Sequence, residues 1–171
     1  DMRAGHDYEH NTKNAEQTMG GTLNTYLWPD VETEKLGLFF EKDMSNISYG
    51  LRYDQVELDP KKANVDTGGG MMQRSANQVY AMAANGGYAS ATKREFDNIS
   101  GFLRFNNIMN GSSYLSLSIN ERAPDATELF NAKQNSSAMM RHVGNPHLSS
   151  ERHMTIELGH DGMIFGNHVR G

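Results

Sequence analysis

The sequence predicts an all-β protein: an antiparallel up-and-down transmembrane β-barrel, present over about seven strands with long extracellular loops. Three observations carry this reading. Apolar and polar residues alternate with a period of two along several strand-length segments. The face opposite the apolar one carries Arg52, Asp54, Arg104 and Glu157, charges that a dry core does not accept unpaired but a wet lumen does. Connections also segregate by length, with turns of a few residues at one end and excursions of dozens at the other. A soluble antiparallel sheet with one solvated face fits the alternation equally well and the loop asymmetry poorly.

Taken in order, residues 2–12 place Ala4, His6 and Tyr8 on one face and Arg3, Gly5, Asp7 and Glu9 on the other. Residues 13–30 read as a polar loop through Met19-Gly20-Gly21 to Trp28-Pro29-Asp30, where Pro29 ends regular structure. Over 31–42, Leu36, Leu38 and Phe40 oppose Lys35, Gly37, Phe39 and Glu41. The turn Asp43-Met44-Ser45-Asn46 leads into a strand over 46–58, with Ile47, Tyr49, Leu51 and Tyr53 opposite Ser48, Gly50, Arg52 and Asp54. Residues 59–96 show no sustained period and read as a long loop, far beyond the usual connection of about 4–6 residues.

Strand character returns over 98–109, with Ile99, Leu103 and Phe105 opposite Ser100, Arg104 and Asn106. Asn110-Gly111 is a hairpin signal, answered over 113–122 by Leu115, Leu117 and Ile119. A third loop covers 123–151, and return strands cover 152–160 and 163–171, the first with Met154, Ile156 and Leu158 on one face. The chain starts and stops inside patterned sequence, which predicts a piece of a larger barrel: an open, curved sheet with two edges.

Composition excludes several classes. Hydrophobic residues make up 37% of the chain, too few for an ordinary globular core and suited to loop-heavy β structure or partial disorder. The net charge of -5, with acids and bases intermixed, offers no basic stripe, so nucleic acid is not an expected partner. Without cysteine there is no disulfide scaffold, thiolate zinc site or cysteine nucleophile. No apolar run approaches the roughly 20 residues of a membrane helix, but a barrel strand needs only about 9–11 of alternating character. Gly68-Gly69-Gly70 lacks the Gly-Lys-Ser/Thr of a phosphate loop, and His160-Asp161-Gly162 has no GxSxG or HExxH companion. His6 and His10, two positions either side of Tyr8, suit an interface better than a metal. No enzyme is expected.

The segment Glu121-Arg122-Ala123-Pro124-Asp125-Ala126-Thr127-Glu128-Leu129-Phe130, followed by Gly144-Asn145-Pro146-His147-Leu148 and Glu151-Arg152, resembles the TonB-dependent outer-membrane receptors. Tyr26-Leu27-Trp28-Pro29-Asp30-Val31, Leu36 to Glu41 and Gly50-Leu51-Arg52-Tyr53-Asp54 extend the resemblance over nearly the whole chain, closest to the copper-receptor branch. Ser150 departs from the proline that many members place before the glutamate. The resemblance implies a Gram-negative outer-membrane location, contact with outer-membrane lipid, and import of a scarce nutrient, copper foremost, with energy from TonB. It implies no required cofactor. A siderophore or other metal chelate is the alternative cargo, and a passive porin or structural barrel the alternative class. A complete receptor of that kind has about 22 strands around a plug; neither plug, coupling box nor terminal aromatic is recognisable here, nor are the copper branch's short Cys/Met and His/Met motifs.

Physical chemistry explains part of the motif. Pro124 pushes Ala123 extended and stops strand pairing. Asp125 and Glu128 have capping-box spacing for a short helix over 126–130, so Arg122, Pro124 and Glu128 read as shape-setting rather than ligand residues. Ligand chemistry is expected in the insert between the two halves. Methionine is plentiful at 11 residues, with Met19, Met71, Met72, Met82, Met139 and Met140 in predicted loops. Thioethers select soft Cu(I), and imidazole binds copper in either oxidation state. Met139, Met140, His142 and His147 form the densest such group and are the candidate metal residues; burial of these methionines against neighbouring loops is the competing explanation.

Overall fold

A computed structural model describes residues 1–68, 70, 73–83, 90–108, 113–133, 143–164 and 167–170, with 161–164 and 167–170 described by backbone alone. Seven antiparallel strands follow one another in chain order within a single sheet: β1 (Met2–Met19), β2 (Thr22–Asp43), β3 (Ile47–Pro60), β4 (Arg94–Ile108), β5 (Ser113–Arg122), β6 (Glu151–Ile164) and β7 (Asn167–Arg170). The sheet is not closed, and β1 and β7 are its edges. Two short helices sit in the long connections, α1 (Ala76–Ala81) before β4 and α2 (Ala126–Phe130) before β6.

Cross-strand register aligns the alternating faces into rows. Leu38, Tyr53 and Ile99 stand side by side on β2, β3 and β4; Phe40, Leu51, Gly101, Ile119 and Met154 form the next row. Tyr49, Leu103, Leu117 and Ile156 form a third, and Ile47, Phe105, Leu115 and Leu158 a fourth. This apolar face is the exposed one: Leu51 is 63% exposed, Ile156 77% and Leu158 75%. The burial order of a water-soluble sheet is thus inverted, because the side chains that water would drive inward face out. Above the first row the same face turns acidic, with Glu34, Glu57 and Glu95 directly opposed across three strands. Lys93 bridges Glu57 and Glu95 at 2.7 and 3.3 Å, which relieves the like-charge contact.

The expected loop over 13–30 is corrected by the structure. β1 and β2 continue through it as one tall hairpin closed by Gly20 and Gly21, whose φ values of 60° and 80° suit a tight primed turn. Pro29 does not end the strand. It lies at a bulge between the Ala15–Trp28 and Lys13–Val31 pairs, beside Asp30 at φ 54°, where the ladder asks no amide of it. The helix over 126–130 forms where the capping spacing predicts it, and α1, inside the expected loop 59–96, starts from a second capping box made by Ser75 and Gln78. That connection is also shorter than expected, since β3 runs to Pro60 and β4 starts at Arg94. The Asn110-Gly111 turn lies outside the described residues.

The buried core lies on the inner face, above the level of the apolar band. There Val31, Val56, Leu58 and Phe96 pack against Val79 and Tyr80 of α1 and against Leu129 and Phe130 of α2. The described parts of both long loops therefore fold back over the upper wall. They also satisfy the edge of β2 above Val31, where β3 has ended. Arg74 N donates to Asn24 O at 2.8 Å, Ala132 N to Leu27 O at 2.8 Å and Lys62 N to Pro29 O at 2.8 Å, which blunts an otherwise open strand edge.

Candidate functional site

Two regions can hold functional chemistry: the loop unit above the sheet and the inner wall beneath it. The loop unit is organised by Arg122 at the end of β5. Its guanidinium donates to both Glu128 oxygens at 2.9 Å and to Glu151 Oε2 at 3.1 Å, a fork that ties α2 to the β5–β6 pair. Glu128 returns to the Asp125 amide at 2.8 Å, while Asp125 accepts from the Thr127 and Glu128 amides at 2.6 and 2.8 Å, completing the capping box. The Arg122 guanidinium, and after it the Asp125 amide, hold the Glu128 carboxyl below its ordinary range. One strand position away, Arg152 Nε donates to Glu121 Oε1 at 2.6 Å.

The second half of the motif closes the far end of α2. Gly144 N donates to Asn131 O at 2.7 Å and Asn145 N to Glu128 O at 2.8 Å. A side chain at Gly144 would meet the Leu129 and Glu128 backbone within 2.7–2.8 Å, so glycine is required there by close approach. Arg94 of β4 donates to the carbonyls of Pro146 and Leu148, holding the return segment against the wall. Arg122, Pro124 and Glu128 thus shape the crossing, as their spacing implies.

The two loops are joined through Tyr80, whose buried hydroxyl donates to Phe130 O at 2.8 Å. Burial pushes the Tyr80 hydroxyl far above its usual pKa, so it stays a donor at all ordinary pH. On the other side of α2, Lys13 of the tall hairpin donates to Thr127 Oγ1 at 2.6 Å and lies 4.5 Å over the Trp28 ring. Residues far apart in the chain therefore converge on one five-residue helix.

Below this unit the inner wall is polar and charged. Arg52 of β3 donates to Asp54 Oδ2 at 2.7 Å and, across β2, to Asp7 Oδ2 of β1 at 3.0 Å. Lys35 of β2 lies 3.7 Å from Asp54. Sequence reading anticipated charges on this face but not their joining into one network over three strands.

Of the candidate metal residues, Met139, Met140 and His142 lie outside the described residues. His147 is exposed in the Asn145–His147 turn, where its amide donates to Asn145 Oδ1 at 2.9 Å. Met19 stands at the tip of β1 rather than in a loop and is 59% exposed; Met82 caps α1 and is 40% exposed. Among the described residues no group of three or more His, Asp or Glu is placed to hold a metal ion. His6 and His10 share the outer face of β1 with Tyr8, and His10 lies 3.6 Å from Glu34.

A family model described as TonB dependent receptor-like, beta-barrel, matches residues 2–170. No curated protein and no solved structure matches the chain.

Proposed function

The chain belongs to the TonB-dependent receptor-like β-barrel family, and from that premise we propose that it forms part of the wall of an outer-membrane receptor that imports a scarce nutrient, copper foremost, with energy supplied through TonB. One observation supports the membrane location above all. The contiguous rows of Leu38, Leu51, Ile99, Leu117, Met154, Ile156 and Leu158 are exposed on one face, while charges and folded loops occupy the other. An apolar face of this extent is stable against lipid and a liability in water. Tyr8 and Tyr53 stand where the band gives way to carboxylates, as interfacial aromatics do.

In this reading the loop unit meets the cargo first and the charged inner wall lines its path. Copper as cargo rests on the chemistry of the loop side chains: the thioethers of Met139 and Met140 and the imidazoles of His142 and His147 suit Cu(I). Titration of the intact receptor with Cu(I) tests it. Replacing Met139, Met140 and His142 by alanine is expected to lower stoichiometry or affinity, and unchanged binding would remove copper from the proposal while leaving the receptor reading intact.

A further inference from the structure

Pro124 carries the chain from β5 over the inner wall to α2, and a recess of about 310 Å³ lies between residues 123–126 and the wall. That volume is at the lower end of what small-molecule sites occupy. On its β1 side the recess is lined by Glu9, Asn11 and Lys13. The ladder to β2 runs without a shift from Glu9 to Lys13, so these alternate residues share the inner face with Asp7. An acid, an amide and a base therefore stand in line, about 7 Å from one to the next.

Most charges around the recess are satisfied by one another. Arg52 holds Asp54, Arg152 holds Glu121, Arg122 is shared by Glu128 and Glu151, and Asp125 accepts the amides that open α2. Glu9 and Lys13 are the exceptions. Lys35 faces Glu9 across the ladder but turns to Asp54 at 3.7 Å, and no cation among the described residues pairs with Glu9, whose side chain is exposed. Lys13 donates to Thr127 Oγ1 at 2.6 Å and lies over the Trp28 ring, which leaves its ammonium further donors and no carboxylate among the described residues.

An unspent acid and an unspent base at two ends of one recess match a molecule with opposite charges at its own two ends. Four strand residues set Glu9 and Lys13 about 14 Å apart, and a charge-assisted bond of about 2.8 Å at each end leaves about 8 Å between the charges of the guest. An extended dipeptide spans about 7 Å, whereas a free amino acid covers about half of that. Asn11, midway, and Thr33, its register partner, offer an amide and a hydroxyl to the peptide bond.

We infer that this recess binds a short zwitterionic peptide, a dipeptide by its length, with the ammonium on Glu9, the carboxylate on Lys13 and the peptide bond beside Asn11. None of these residues is among the copper candidates, so the site is independent of copper as cargo.

Dialanine serves as the probe, with N-acetyl-dialanine, which lacks the ammonium, and dialanine amide, which lacks the carboxylate, as controls. Saturation-transfer NMR on the intact receptor in detergent is expected to show saturable dialanine binding and at least about fivefold weaker binding of each capped form. Glu9→Gln, a change on an exposed side chain, is expected to weaken dialanine by a similar factor while leaving N-acetyl-dialanine unchanged, because that ligand has no ammonium to lose. Lys13→Gln is expected to weaken dialanine and spare the amide; should that variant loosen α2 through Thr127, the Glu9→Gln comparison decides alone. Absence of saturable dialanine binding overturns the inference, as do equal binding of the capped forms or wild-type dialanine affinity in Glu9→Gln. Cu(I) titration of the same variants reports separately on the metal.

Discussion

Arg52 reaches Asp7 by passing over Gly37. The two strands involved, β3 and β1, are not neighbours, and Gly37 is the β2 residue that lies between Asp7 and Asp54 in register. A Cβ at Gly37 would collide with the Arg52 guanidinium and come within 2.7 Å of Asp7 Oδ1. Gly37→Ala is therefore expected to push Arg52 off Asp7 and destabilise the barrel, because the added Cβ takes the space that the guanidinium crosses. Urea unfolding of the intact receptor in detergent checks this, and Asp7→Asn is expected to lose much of the same increment. Gly37→Ala in the Asp7→Asn background should then cost less than in the wild type.

Arg122→Ala is expected to release α2 at its N-terminal side. With Glu128 and Glu151 each losing a donor, hydrogen exchange at Leu129 and Asn131, whose amides close the helix onto Asp125 and Thr127, should speed up several-fold. The change in global stability should be small, about 1 kcal/mol, since the partners are partly exposed. Arg122→Lys keeps the charge and loses the fork, so it is expected to recover only part of the protection.

The same contact sets a pH dependence. Glu128 is held below the ordinary glutamate value of 4.5, so its contribution to folding is complete above that pH. It is lost as pH falls through the lowered folded value, where the native state must take up the proton. Exchange at the α2 amides is expected to rise selectively below pH 4.5. In Glu128→Gln that acid step should vanish while a constant, weaker protection remains.

How much of this was legible in the sequence depends on what surrounds each strand. Where the wall stands between lipid and a wet lumen, alternation is enforced, and the rows through Leu38, Leu51, Leu103 and Leu117 were readable directly. Above the band both faces of the β1–β2 hairpin meet water or loops. Selection for alternation lapses there, so Lys13 to Asp30 looked like a loop although Gly20-Gly21 carried a turn signal. The α2 helix was legible because Asp125 and Glu128 act locally. The Arg52–Asp7 contact and the Lys13–Thr127 bond depend on register over several strands or on where β5 leaves β4, and no local pattern encodes either. Met139, Met140 and His142 lie outside the described residues, so the proposed copper chemistry still rests on residue type.

Tyr80→Phe is expected to uncouple the two loops. It deletes the one buried hydroxyl that reaches from α1 to the Phe130 carbonyl and keeps the ring in the core, so the loss should be about 1–2 kcal/mol, including the carbonyl left without its donor. The decisive readout is where the loss appears. Faster exchange in both 76–83 and 126–133 supports coupling; a change confined to α1 would mean that the loops dock independently on the wall.

The outer face and the inner face should respond oppositely to charge. Leu117 and Ser118 are adjacent on β5, yet Leu117 stands between Leu103 and Ile156 in the apolar band and Ser118 between Phe102 and Thr155 on the inner wall. Leu117→Arg near the middle of the band is expected to destabilise the barrel by about 2–4 kcal/mol, because the guanidinium must leave water for hydrocarbon. Ser118→Arg places the same group in a wet lumen and is expected to cost less than about 1 kcal/mol. Folding yields and unfolding midpoints in lipid bilayers measure both. Equal sensitivity at the two positions would contradict the assignment of faces on which the membrane reading depends, since a sheet solvated on its apolar side would tolerate Leu117→Arg as readily as Ser118→Arg.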